Sequence, residues 1–202
     1  MITAIILAAG AARRMGRPKQ LLPLGGRPLV WHAAAAACGC RSIGDVIVVT
    51  GAGGAEVAAA VACLPARLAD NPAWQDGQAG SLLTGLAAVR PATTAVIFML
   101  ADQPLVTPAL LDALAAAWRA GGTIAAVEAG GRLGPPVLFD LACWRADLLT
   151  LVGDSGARSL LAAHPEAVVA VPAVDERACR DVDTPDDYAE IVRLYETING
   201  GA

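Results

Sequence analysis

Along the chain, short unbroken apolar runs alternate with longer stretches of helix-compatible spacing. Thr3–Ala8, Asp45–Thr50 (DVIVVT) and Ala95–Leu100 (AVIFML) are runs of strand length, rich in Ile and Val. Such runs are expected of strands buried on both faces. The segments Pro28–Cys38, Glu56–Ala62, Ser81–Val89 and Thr107–Trp118 read as helices, the first two rich in Ala, the residue with the highest helix propensity. Thr107 stands as N-cap, with Pro108 at the first helical position.

Further on, Thr123–Glu128 and Val137–Phe139 read as strands flanking a turn at Gly130-Gly131. Leu141–Leu151 and Ser155–Ala163 read as short helices, and Ala167–Val171 as a late strand. The run Thr184-Pro185-Asp186-Asp187 has a capping hydroxyl, an N1 proline and first-turn acids, which predicts a helix start. That helix is expected to reach about Thr197, with Asn199–Ala202 as a frayed tail. Gly10–Gly26 is predicted to be a long loop.

Alternating strands and helices predict an α/β fold: a Rossmann-like three-layer sandwich with a mostly parallel sheet covered on both faces. The 202 residues contain no internal repeat and no linker-like segment, so one domain spanning 1–202 is expected.

Composition narrows the function. The chain is 55% hydrophobic and carries a net charge of −4, which argues against nucleic acid as a partner but leaves room for a local basic pocket. No apolar stretch is long enough for a membrane span. The apolar start has its arginines after it, not before, which is the wrong order for an export signal. Five scattered cysteines, with a lone Cys38-x-Cys40 pair, fit reduced thiols in the cytoplasm better than disulfides or a metal site.

The candidate chemistry begins after the first strand. Open α/β sheets bind ligands beyond the carboxyl ends of their strands. Here Leu7-Ala8-Ala9-Gly10 leads into Arg13, Arg14, Arg17 and Lys19. Small residues let backbone N–H groups approach a phosphate chain, and the cations offset its charge. The loop is neither a Walker A sequence nor GxGxxG. Asp102, just beyond AVIFML, is a candidate Mg²⁺ ligand; its bland alternative is a cap on the turn into Gln103-Pro104. A second carboxylate is expected from Asp183, with Asp181 as alternate, although Asp183 next to a helix start equally suits the helix dipole. Ser81, a predicted N-cap, is a candidate base contact, and Trp74 either lines the crevice or packs as a core aromatic. His32 and His164 read as structural.

Five ordered blocks then resemble a known family. Leu7-Ala8-Ala9-Gly10 with Arg14-Met15-Gly16, Pro18-Lys19 and Leu21-Leu22-Pro23-Leu24 resembles the signature of GT-A-like nucleotidyltransferases. Asn71-Pro72-Ala73-Trp74 with Gly77 and Gly80-Ser81-Leu82, Ala101-Asp102-Gln103-Pro104, Gly153–Arg158 and Asp181–Asp186 extend it over nearly the whole chain. Within that group it most resembles the molybdenum cofactor cytidylyltransferases.

The resemblance implies transfer of CMP from CTP to the phosphate of molybdenum-bound molybdopterin, with Mg²⁺ and release of pyrophosphate. It implies nucleotide contacts at Leu7, Ala8, Ala9, Gly10, Arg14, Lys19, Asn71, Gly80 and Ser81. Catalytic roles would fall to Arg14, Lys19 and Asp102, metal ligation to Asp102 and Asp183, and acceptor contacts to Asp154 and Arg158. Asp154 reads equally well as an N-cap, and Arg158 as the partner of an acid. A molybdenum-dependent oxidoreductase or its maturation factor is an implied partner. Ala9, where GMP-transferring relatives usually have Gly, favours CTP within this resemblance. Two departures stand out: Ala12 replaces a frequent Ser, and Gly134-Pro135-Pro136 stands where many of these enzymes have Gly-His-Pro. The second puts the acceptor in question more than the nucleotide. A sugar or alcohol phosphate acceptor, or a non-catalytic cofactor carrier or insertion chaperone, are the competing readings.

Overall fold

A computed structural model of the chain describes residues 1–10 and 18–200. Its centre is a seven-stranded sheet in the order β5-β4-β1-β6-β8-β7-β9. The strands are β1 (Ile2–Leu7), β4 (Ile43–Thr50), β5 (Arg67–Asp70), β6 (Ala95–Leu100), β7 (Ile124–Ala129), β8 (Arg132–Asp140) and β9 (Val168–Pro172). β5, β4, β1 and β6 run parallel, and β9 runs parallel to β7. β8 is antiparallel to both its neighbours. The sheet is therefore mostly parallel, as the alternating pattern predicts.

Side-chain alternation along the strands divides the core. Ala4, Ile6, Val46, Val48, Ile97 and Met99 face α1 (Leu29–Gly39), α2 (Gly54–Val61) and α4 (Pro108–Arg119). Ile5, Ile47, Val49, Phe98, Val137 and Phe139 face α3 (Gln78–Ala87), α5 (Leu141–Leu148) and α6 (Ala157–Ala163). Period-2 strands that are apolar at every position can bury both faces in this way. A smaller cluster of Leu22, Leu24, Leu29, Val182 and Ile191 seats α7 (Pro185–Asn199). It lies beside a two-residue-per-strand hairpin, β2 (Pro23–Leu24), inside the segment predicted as loop, and β3 (Arg27–Pro28), just after it.

Four local expectations are corrected. Ser81 is not an N-cap: α3 starts at Gln78, and Gly77 caps it at φ +112°. That left-handed backbone suits glycine; a Cβ there would also collide with the Gly153 backbone, whose carbonyl accepts from Ala79 N–H at 2.9 Å. Asp154 is not an N-cap either, because α6 starts at Ala157 with Gly156 before it. β8 is far longer than Val137–Phe139 and runs through Pro135-Pro136. Proline has no N–H to give a ladder, and the register of β7 against β8 shifts between Ala126 and Val127, opposite this pair. β5 was not predicted: Arg67-Leu68-Ala69-Asp70 is an edge strand with Leu68 exposed, so no buried apolar run marks it.

No helix among the described residues is long and apolar enough to cross a membrane.

Candidate active site

The parallel strands β1 and β6 end side by side, with Leu7 opposite Leu100. The chain leaves both ends at once, and the backbone stays tied: Ala101 N–H donates to Leu7 C=O, and Ala8 N–H donates to Val49 C=O. A cleft of about 290 Å³ opens there. Leu7, Ala8, Ala9, Gly10, Lys19, Ser81 and Asp102 all line it, with Asp181, Asp183, Gln20 and Gln78.

Lys19 is the centre of its electrostatics. Its ammonium pairs with a carboxylate oxygen of Asp102 and, at 2.6 Å, with Oδ1 of Asp183. These groups lie 83 and 164 residues away in sequence, so the fold alone brings them together. Burial works against the charge of Lys19, but the two carboxylates outweigh it and hold the ammonium's pKa above its ordinary value. The charged form is therefore the one the site keeps.

Asp102 is buried, and its Oδ1 has no hydrogen-bond partner. An orphaned buried carboxylate oxygen is costly unless something arrives to meet it. Asp183 is half exposed and opens to the cleft. Mg²⁺ takes oxygen ligands and commonly rests on one or two carboxylates plus substrate phosphates and water. The pair Asp102 and Asp183, with the idle Oδ1, fits that requirement. Among the described residues no three or more His, Cys, Asp or Glu gather in a metal-binding arrangement, so a cation here would rest on the two carboxylates together with substrate phosphates and water.

Asp181 occupies the same wall but is engaged differently. Its Oδ1 accepts from Gln103 Nε2 at 2.7 Å, and its Oδ2 lies 3.6 Å from Arg158 Nη2. Burial, then the neighbouring charge of Asp102, push its carboxyl above the usual range; the Gln103 hydrogen bond and Arg158 pull it back. Nearby, burial and then Asp181 push the Cys179 thiol up to about 12, so it stays protonated.

The other predicted residues fall into place unevenly. Gly80 lies in the first turn of α3 against Asn71. Asn71 is itself buried: its Nδ2 donates to Ser81 Oγ at 3.0 Å and its Oδ1 accepts from Ala73 N–H, so it orients Ser81 and does not line the cleft. Asp154 shares a side pocket with Gly10, Trp74, Gln78 and Ser81. Arg158 lines a separate pair of pockets with Pro135. The two residues expected to hold one acceptor therefore line different pockets. Trp74 lines the crevice, and Gly51 makes room for it, since a Cβ there would lie 2.7 Å from Trp74 Cβ and 2.8 Å from Ala9 Cβ. Arg14, with Arg13 and Arg17, lies outside the described residues. His32 bonds to the Leu24 carbonyl and His164 pairs with Glu166; neither lines the cleft.

Three glutamines were missed by sequence reasoning. Buried Gln20 donates to the carbonyls of Ala8 and Gly10, tying down the first loop. Gln78 lines the main cleft and both adjoining pockets. Gln103 joins Asp102 to the segment carrying Asp181 and Asp183. The only sequence signal was their place: beside Lys19, after Gly77, and beside Asp102.

The profile of the MobA-like NTP transferase domain matches residues 4–168. Nicotine blue oxidoreductase of Paenarthrobacter nicotinovorans is 34% identical over 192 residues, covering 91% of this chain and 92% of that protein. 2-C-methyl-D-erythritol 4-phosphate cytidylyltransferase of Ralstonia nicotianae is 37% identical over 143 residues, covering 66% of this chain and 55% of that protein. Among solved structures, a homologue of Mycobacterium tuberculosis Rv0371c from Mycobacterium sp. strain JC1 superposes with a TM-score of 0.85 at 32% identity, covering 98% of each chain. Rv0371c of Mycobacterium tuberculosis in complex with manganese superposes at 0.77 with 30% identity, covering 95% of this chain and 98% of that one.

Proposed function

The chain belongs to the MobA-like NTP transferase family and is a nucleotidyltransferase; from that premise we propose that it transfers CMP from CTP to the phosphate of molybdenum-bound molybdopterin, with Mg²⁺. The observation that carries the reading is the convergence of Lys19, Asp102 and Asp183 on one cleft at the strand ends. A triphosphate, a divalent cation and a cationic side chain are the three parts such a cleft can assemble. The manganese-bound relative supports a divalent metal, and a cytidylyltransferase among the relatives supports CTP.

In this reading Asp102 and Asp183 hold the cation through carboxylate oxygens. Bound Mg²⁺ supplies Lewis-acid polarisation of the phosphoryl oxygens and offsets their charge. Leu7 to Gly10 follow the phosphate chain with their backbone, held by Gln20. Lys19 leaves its carboxylate partners for the β- and γ-phosphates. There it stabilises the pyrophosphate that departs when the bond between the α-phosphorus and its bridging oxygen breaks. Arg14, outside the described residues, is given the same part by the family resemblance. The acceptor's phosphate oxygen forms the new bond to the α-phosphorus. It is already anionic near neutral pH, so no general base is required. Ser81, fixed by Asn71, faces the base, and Arg158 attracts the anionic acceptor. A molybdenum-dependent oxidoreductase or its maturation factor would receive the product.

One observation favours a second acceptor class. Pro135 lines the wall beside Arg158 where molybdenum cofactor cytidylyltransferases often place His, and an alcohol or sugar phosphate needs no such side chain. The deciding experiment is pyrophosphate release with CTP or GTP, against molybdenum-loaded molybdopterin, an alcohol phosphate and a sugar 1-phosphate. Release with CTP and the molybdenum acceptor alone is expected. Preference for another phosphate replaces the acceptor. Tight nucleotide binding with no turnover of any acceptor would make the protein a carrier. Redox turnover without pyrophosphate release would align it with the relative named an oxidoreductase.

A further inference from the structure

Asp183 comes from a segment with no regular structure. Residues 180–183 belong to neither helix nor strand, yet they must hold a carboxylate within reach of Asp102 at the end of β6. Two ties hold them. One is backbone: Val182 N–H donates to Asp102 C=O at 3.1 Å, with the Val182 side chain fully buried. The other is a single side chain. Gln103, 1% exposed, donates both amide hydrogens of Nε2 across the gap, to Cys179 C=O at 2.9 Å and to Asp181 Oδ1 at 2.7 Å.

This second tie does more than fasten the segment. With Gln103 on Oδ1 and Arg158 near Oδ2, Asp181 is engaged at both oxygens. Asp183, two residues on, instead meets Lys19, the ammonium that also pairs with Asp102. We propose that Gln103 is a positioning residue that selects Asp183 over Asp181 as the second metal-binding carboxylate, by strapping residues 179–181 to the end of the Asp102 strand. The inference rests on the metal reading given above.

An amide suits this task and a carboxylate does not. Glu at 103 has no N–H to offer the Cys179 carbonyl, and it would set a second negative charge against Asp181. Met has Gln's length without its donors. Groups that orient metal ligands in this way typically change metal affinity about 10- to 100-fold when lost.

The test is Mn²⁺ binding followed by calorimetry and by the Mn²⁺ EPR signal, on the full chain with a non-hydrolysable CTP analogue. Thermal melting of each variant is recorded alongside. Gln103→Met is expected to weaken Mn²⁺ about tenfold while remaining folded, and to raise the KM for metal more than it lowers kcat at saturating metal. Asp181→Asn, which keeps an acceptor for Gln103, is expected to lose less affinity than Asp183→Asn. Wild-type Mn²⁺ affinity in Gln103→Met, with Asp183→Asn impaired, would overturn the proposal alone. Asp181→Asn as damaging as Asp183→Asn would also overturn it, by making Asp181 a ligand. Unchanged binding in both Asp102→Asn and Asp183→Asn would instead overturn the metal reading beneath it. Should Gln103→Met fail to fold, Gln103→Asn, which keeps the uncharged amide but shortens its reach, provides the comparison and is expected to weaken Mn²⁺ in the same direction.

Discussion

Lys19 is asked to do two things with one charge, and the two can be separated. In the structure it pairs with both candidate metal ligands, so it competes with a cation for the same oxygens. Lys19→Met is therefore expected to bind Mn²⁺ more tightly than wild type when nucleotide is absent, as read by calorimetry. With CTP and acceptor present the same variant is expected to lose about 10²-fold in kcat, the usual order for removing one group that stabilises developing charge. Asp181 offers a test through pH. Its folded carboxyl titrates above its ordinary value of 3.8, for which burial is the first cause. Between its ordinary value and the raised one, the folded state thus holds a proton that the unfolded chain has released. Stability tied to this group is present below that ordinary value and lost as pH rises through the raised one. Melting temperatures of Asp181→Asn across the acidic range should show a shallower fall with rising pH than wild type. A parallel course would show that Asp181 contributes nothing to it.

At the scale of elements, much was legible. AVIFML is β6 from end to end, and Thr107 caps α4 by accepting from Leu110 N–H, with Pro108 behind it. Thr184 and Asp187 form a reciprocal capping box: Asp187 N–H donates to Thr184 Oγ1, and Thr184 N–H donates to Asp187 Oδ2. Such signals are local, and local chemistry is what a sequence displays. What could not be read depends on distant partners. Ser81 looked like a cap because it follows Gly80, but Gly77 makes the turn, and Ser81 is held inside the helix by Asn71. Gln103 looked like turn filler until residues 76 and 78 positions away closed on it. Lys19 and Asp102 were identifiable as types, and the pairing between them was not. The capping box also carries a prediction. Thr184→Ala is expected to cost about 1 kcal/mol in urea unfolding, and it should weaken Mn²⁺ as well, because Asp183 stands directly before the cap. Within α3, Gly85 lies against Ile5 and Val49 so closely that an added Cβ would overlap Ile5. Gly85→Ala is expected to destabilise by about 1–3 kcal/mol through overpacking, measurable in the same unfolding assay.

For the molecule as a whole, the fold class followed from alternation alone, but the strand order and the reversed β8 did not. A sequence shows where strands lie and not which neighbour each one chooses. The last helix depends on this assembly. Ile191 is fully buried in the cluster that seats α7 beside Leu22 and Leu29, one end of which is Val182. Ile191→Ala is expected to cost about 2–5 kcal/mol, and its loss of Mn²⁺ affinity should track the loosening of α7 in hydrogen exchange.

The reversed strand has a further outcome. Because β8 runs against β6, its first half, with Gly134 and Pro135, arrives at the same rim where β6 finishes. One wall of the pockets beside the main cleft is thus made by the β7–β8 hairpin. Descendants of this architecture could exchange that hairpin while inheriting Lys19, Asp102 and Asp183 unaltered, since none of the three belongs to it.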